Sequence, residues 1–102
     1  MNILLICSAG MSTSMMMKRM KEAAAAKHIN ANIWAVGEGL AKEHIPRADI
    51  ILLGPQVRYL FQKMEEMAAG KPVMVMDLSS YGNLDGKKVL ESVLIRMRGQ
   101  IK

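Results

Sequence analysis

At 102 residues, with a hydrophobic share of 51% and a formal charge of +5, the chain has the size of one compact domain and too little length for two independent cores. Its basic residues are scattered and aromatics make up only 4%, which argues against a nucleic-acid surface, and no apolar run approaches the roughly 20 residues that span a bilayer. A single cysteine excludes an internal disulfide and no secretory leader pattern precedes it, so a reducing cytoplasm is the expected compartment.

Residues 2–7 form a continuous apolar run, as expected of a strand buried on both faces of a parallel sheet. The run ends at Cys7 and meets a polar, glycine-containing turn, Ser8-Ala9-Gly10-Met11-Ser12-Thr13-Ser14. The spacing of Met16, Met20, Ala23 and Ala24 predicts a helix over 14–28, with Lys27 and His28 suited to its C-terminus. A second short strand is expected over 32–36, followed by a break at Gly37-Glu38-Gly39 and at most a helical turn over 40–43.

Asp49-Ile50-Ile51-Leu52-Leu53 reads as a third buried strand, closed by Gly54-Pro55, and Pro55 can open a helix because its missing N–H is not needed there. Val57, Leu60, Phe61, Met64 and Met67 give that helix an apolar face ending near Gly70. A fourth strand is expected over 72–76, then a polar loop from Asp77 to Gly86, then a last helix that turns Val89, Leu90, Val93, Leu94 and Met97 inward. Strand and helix alternate throughout, which predicts an α/β domain with a parallel sheet and right-handed crossovers. In such sheets the functional crevice lies beyond the carboxyl ends of the strands, and Cys7, Gly54-Pro55 and the 77–86 loop all fall there.

Cys7 is the candidate nucleophile. A turn of this composition aims successive backbone N–H groups into its own hollow, and the following helix adds the positive end of its dipole; both favour thiolate and both favour an anion. Amides from Ser8, Ala9, Gly10, Met11, Ser12, Thr13 and Ser14 are the candidate phosphate cradle, ample for a phosphoryl group with its three acceptor oxygens. A cysteine phosphatase would place arginine six positions after the cysteine, where this chain has Thr13. It would also need an acid for the leaving group; Asp77 sits at a suitable strand end but is not followed by proline, and capping its own loop is the competing role. The site is equipped to accept a phosphoryl group on sulfur and poorly equipped to hydrolyse it. Two other readings stay open on residues alone: a low-molecular-weight cysteine phosphatase, and a regulatory anion-binding module in which Cys7 is structural.

His28 and His44 are separated by a predicted strand and have no cysteine or paired carboxylate at ligand spacing, so no metal and no cofactor are expected. The 11 methionines read as adaptable core packing, with Met11 and Met15 as a pliable apolar rim at the turn. Tyr81 is expected as a loop anchor more than as a hydroxyl beside the sulfur.

The stretch from Cys7 to Ser14 closely resembles the active-site loop of enzyme IIB of the bacterial phosphoenolpyruvate-dependent sugar phosphotransferase system, lactose/cellobiose type. The resemblance continues through residues 48–57, with their Leu52-Leu53-Gly54-Pro55-Gln56 element, and on to Tyr81-Gly82 and Asp85-Gly86, so it spans residues 1–102 as one domain. It implies a four-stranded parallel sheet in the order 2-1-3-4 with helices on both faces, similar to the low-molecular-weight tyrosine phosphatases without their arginine. It further implies that Cys7 receives a phosphoryl group from a histidine of a IIA protein and passes it to a sugar carried by the membrane component IIC. Cellobiose, chitobiose, lactose or another β-linked saccharide would each be compatible.

Overall fold

Why residues 2–7 become the middle of a sheet follows from their burial: Ile3, Leu4, Leu5 and Ile6 are all 0% exposed, and only a strand covered on both faces hides consecutive side chains that point in opposite directions. The computed structural model describes residues 1–8 and 10–98, with the side chains of 10–13 outside that description. In it β1 (Asn2–Cys7) pairs in parallel with β2 (Asn32–Gly37) on one side and β3 (Ile50–Leu53) on the other, and β3 pairs with β4 (Val73–Val75). The sheet order is β2-β1-β3-β4, as the resemblance implies.

Helices cover both faces. On one, Ile3, Leu5, Ile33, Ile50 and Leu52 pack against Met16, Met20 and Ala24 of α1 (Gly10–Ala26) and Val89, Leu90 and Val93 of α5 (Gly86–Arg98). On the other, Leu4, Ile6, Ile51 and Leu53 meet Ala41 of α2 (Ala41–His44) and Met64 and Ala68 of α3 (Phe61–Ala68), with Ile45, Val57 and Leu60 from single-turn segments at 45–47 and 55–60. Each fully buried aliphatic side chain contributes about 1.5–3 kcal/mol, so β1, with neighbours on all sides, is the most firmly held strand.

Three sequence expectations are corrected. α1 begins at Gly10, four residues before the expected start at 14, and ends at Ala26, because His28 takes a left-handed conformation (φ 58°). The Ile29 N–H reaches back to the Ala24 carbonyl at 2.8 Å and closes the helix with a Schellman-type turn. The segment after Pro55 is a tight 3-10 stretch through Leu60 before regular helix begins at Phe61, because Val57 leaves helical geometry. Finally, the expected 77–86 loop contains a short helix, α4 (Leu78–Gly82).

Candidate functional site

The period of two along β1 sends Ile3, Leu5 and Cys7 to the α1 face. Cys7 closes the strand in register with Gly37 and is 4% exposed, so the sulfur lies at the floor of the rim. Gly54 follows β3 on the other side, held by its N–H to the Ile6 carbonyl at 3.0 Å. A Cβ at Gly54 would lie 3.9 Å from the Cys7 Cβ and one at Gly37 3.9 Å from the Cys7 carbonyl oxygen, both ordinary contacts, so the two glycines adjoin the cysteine closely.

Beside Cys7 lies a pocket of about 200 Å³ lined by Cys7, Ser8, Ser14, Met17, Ala35, Val36 and Gly37. α1 opens at its edge. The first N–H groups of a helix have no partner inside it, and here they include those of residues 10–12, with no acidic residue in the first turn. The structure thus brings Cys7, Ser8 and Ser14 together at one pocket and sets the backbone of Gly10, Met11, Ser12 and Thr13 at the helix start. Ala9 lies outside the described residues, as do the side chains of Met11, Ser12 and Thr13.

Asp77 caps α4. Its Oδ2 accepts from the Ser80 N–H at 3.0 Å and from the Ser80 hydroxyl at 3.2 Å. The Ser80 amide, then its hydroxyl, hold the Asp77 carboxyl below its ordinary range against a smaller opposing effect of desolvation, with Lys88 and the Ser79 amide adding to the lowering. That lowering makes Asp77 a poorer proton donor to a leaving group. Tyr81 is buried among Met76, Val89 and Leu90, as an anchor would be.

Exposed apolar side chains stand in the segments that follow the four strands, and sequence reading named them only in part. Met15 is 41% exposed, as the apolar-rim reading expects, while Leu40, Tyr59 and Leu78 join it from the segments that follow β2, β3 and β4. Leu40 and Leu78 come three residues after their strands end, Tyr59 six and Met15 eight. Their signal was a hydrophobic residue at a strand-end turn, where burial is not required. Together they offer apolar contact area for a protein partner.

Among the described residues no helix is long and apolar enough to cross a membrane, and no group of three or more His, Cys, Asp or Glu side chains is placed to hold a metal.

A family model described as "PTS system, Lactose/Cellobiose specific IIB subunit" matches residues 2–92. The oligo-beta-mannoside-specific EIIB component of Bacillus subtilis (strain 168) is 44% identical over 100 residues, covering 96% of this chain and 97% of that protein. Among solved structures, the cellobiose-specific IIB component from Borrelia burgdorferi is 43% identical with a TM-score of 0.74, covering 89% of this chain and 85% of that one. The lactose-specific IIB domain from Streptococcus pneumoniae superposes with a TM-score of 0.83 over 92% of this chain and 94% of that one; at 21% identity it speaks to the fold alone. The architecture is also consistent with the low-molecular-weight phosphatase type.

Proposed function

The chain belongs to the lactose/cellobiose-specific IIB family of the phosphotransferase system, and from that premise we propose that Cys7 is the residue that carries the phosphoryl group. Phosphoryl transfer between a IIA and a IIC component is the activity of this protein. The observation that supports Cys7 is its position: the chain's one thiol ends an internal strand directly before the start of α1, on a pocket of about 200 Å³.

In the proposed sequence the Cys7 sulfur attacks phosphorus as the P–N bond to a IIA histidine breaks. The S–P bond then breaks as a sugar hydroxyl, losing its proton, takes the phosphoryl group at IIC. Amides of residues 8–14 bind the phosphoryl oxygens, and the α1 dipole favours their charge. Thr13 in place of arginine and the ionised Asp77 cap both favour relay over hydrolysis. The reading takes residues 1–102 as one domain and includes a cytoplasmic setting, which suits a lone thiol. A β-linked oligosaccharide is the proposed cargo, since the relative at 44% identity is named for oligo-beta-mannosides and the structure at 43% for cellobiose.

The test is incubation with phosphoenolpyruvate, the general phosphotransferase proteins and a panel of IIA proteins, followed by mass spectrometry to locate the phosphate. The expected site is sulfur at Cys7. Phosphate on His28 or His44 would overturn the assignment.

A further inference from the structure

The alternation that sends Cys7 toward α1 sends Asn2, Asn32 and Trp34 to the opposite face, at the other end of the sheet. From Asn2 to Cys7 is five steps of β1, about 17 Å. Here the structure holds a polar cluster that phosphoryl relay does not use.

At its centre is Arg47. Its Nη2 lies 2.9 Å from His44 Nδ1, and Trp34 Nε1 donates to the same Nδ1 at 3.0 Å. Arginine and indole N–H groups can only donate, so both converge on His44 Nδ1. The Arg47 guanidinium carbon also lies 5.7 Å from the centroid of the Trp34 ring, over its face. The guanidinium is thus fixed by a stack and a hydrogen bond. No carboxylate pairs with it among the described residues: Asp49, the nearest acid in sequence, turns Oδ2 to the Asn2 N–H at 2.7 Å.

A guanidinium held in place with N–H groups to spare is preorganised for a carboxylate or phosphate. Beside it is a hollow of about 260 Å³ lined by Asn2, Asn32, Trp34 and Arg47. The two amides are themselves oriented: Asn32 Nδ2 donates to Asn2 Oδ1 at 2.9 Å, and Asn2 Nδ2 donates to the Arg47 carbonyl at 2.9 Å. With its Nδ2 so engaged, Asn32, which lines the hollow, keeps its side-chain oxygen as an acceptor for a hydroxyl.

We propose that this hollow is a second, non-catalytic ligand site that takes a small oxyanion borne on a polyhydroxy body, a sugar phosphate, with Arg47 on the anionic group and Asn32 on a hydroxyl. The site lies on the other face of the sheet from Cys7 and does not depend on the role proposed for that residue.

Trp34 is the only tryptophan, so its fluorescence reports on the hollow alone. The intact protein is titrated with glucose 6-phosphate, with glucose and inorganic phosphate as separate arms, while backbone amide shifts are followed by NMR. Saturable changes at Trp34 and at residues 2, 32 and 47 are expected with glucose 6-phosphate, weaker ones with inorganic phosphate, and none with glucose. Arg47→Gln should weaken binding roughly 10- to 100-fold, the loss of a charged hydrogen bond. Arg47→Lys keeps the charge without the planar fork and should fall between. Cys7→Ala should bind at Trp34 as the parent does. Glucose binding as tightly as its phosphate, unchanged affinity in both Arg47 variants, or shifts confined to the Cys7 loop would each overturn the proposal. Inorganic phosphate binding as tightly as the sugar phosphate would overturn the part assigned to Asn32.

Discussion

Of the helices α1, α4 and α5, two bring an anion to their start and one does not. α4 brings its own anion: Asp77 accepts from the Ser80 amide and hydroxyl, and its carboxyl is held low by those bonds. α5 does the same with Asp85, whose Oδ1 accepts from the Lys88 N–H at 3.1 Å. α1, which begins three residues after Cys7, has no acid in its first turn and none in the two residues before it. α4 and α5 thus carry a carboxylate at their starts, while the start of α1, the proposed phosphoryl cradle, carries none.

The comparison breaks most completely at the sulfur. Cys7→Ser should reduce phosphoryl acceptance from IIA below detection, because an alcohol is a far weaker nucleophile at neutral pH, and intact-protein mass spectrometry would show it. Giving α1 an anion of its own is the next largest change. Ser12→Asp places a like charge against the incoming phosphoryl group and should slow acceptance roughly 10- to 100-fold. Stopped-flow transfer from phosphorylated IIA measures it; an unchanged rate would mean that the helix start does not read charge.

Gly86→Ala sharpens the same contrast from the side of stability. A Cβ at Gly86 would lie 2.5 Å from backbone and Cβ atoms of Arg19 and from the Met20 nitrogen, so α5 must back away from α1. Overpacking of this kind costs about 1–3 kcal/mol, readable as a lower urea midpoint. Asp77→Ala should have the smallest effect, a modest loss of thermal stability with phosphoryl acceptance kept, as befits a cap. Because the folded-state pKa of Asp77 lies below its ordinary 3.8, its contribution is complete above that value and is lost as pH falls through the lower folded one. Urea titrations of parent and mutant should therefore differ at neutral pH and converge at the acid end.

The strands were legible because Ile3 to Ile6 and Ile50 to Leu53 are unbroken apolar runs too short for a buried helix and followed by glycine- or proline-containing turns. The order of the strands came from the resemblance, since hydrophobic runs alone do not say which strand is central. α4 was not legible because Leu78-Ser79-Ser80-Tyr81-Gly82 is shorter than two turns, and an exposed Leu78 spoils any apolar stripe. The early start of α1 was hidden by Gly10, Ser12, Thr13 and Ser14, residues of poor helix propensity that suit a loop equally well. At the site, Cys7 and its turn were readable, while Leu40, Tyr59 and Leu78 were not, because an exposed hydrophobe has no period to betray it. The Trp34, His44 and Arg47 cluster was equally silent. Its members come from β2 and the segment after it, and only the sheet edge brings them together.

Cys7 ends a strand whose residues 3–6 are tied to neighbours on both sides, and only 4% of it is exposed. A sulfur so placed does not travel to meet its partners. On the role proposed for Cys7, donor and acceptor must each come to the same recess. Double-displacement kinetics without a ternary complex are then expected, with a large excess of either partner slowing the turnover that it feeds.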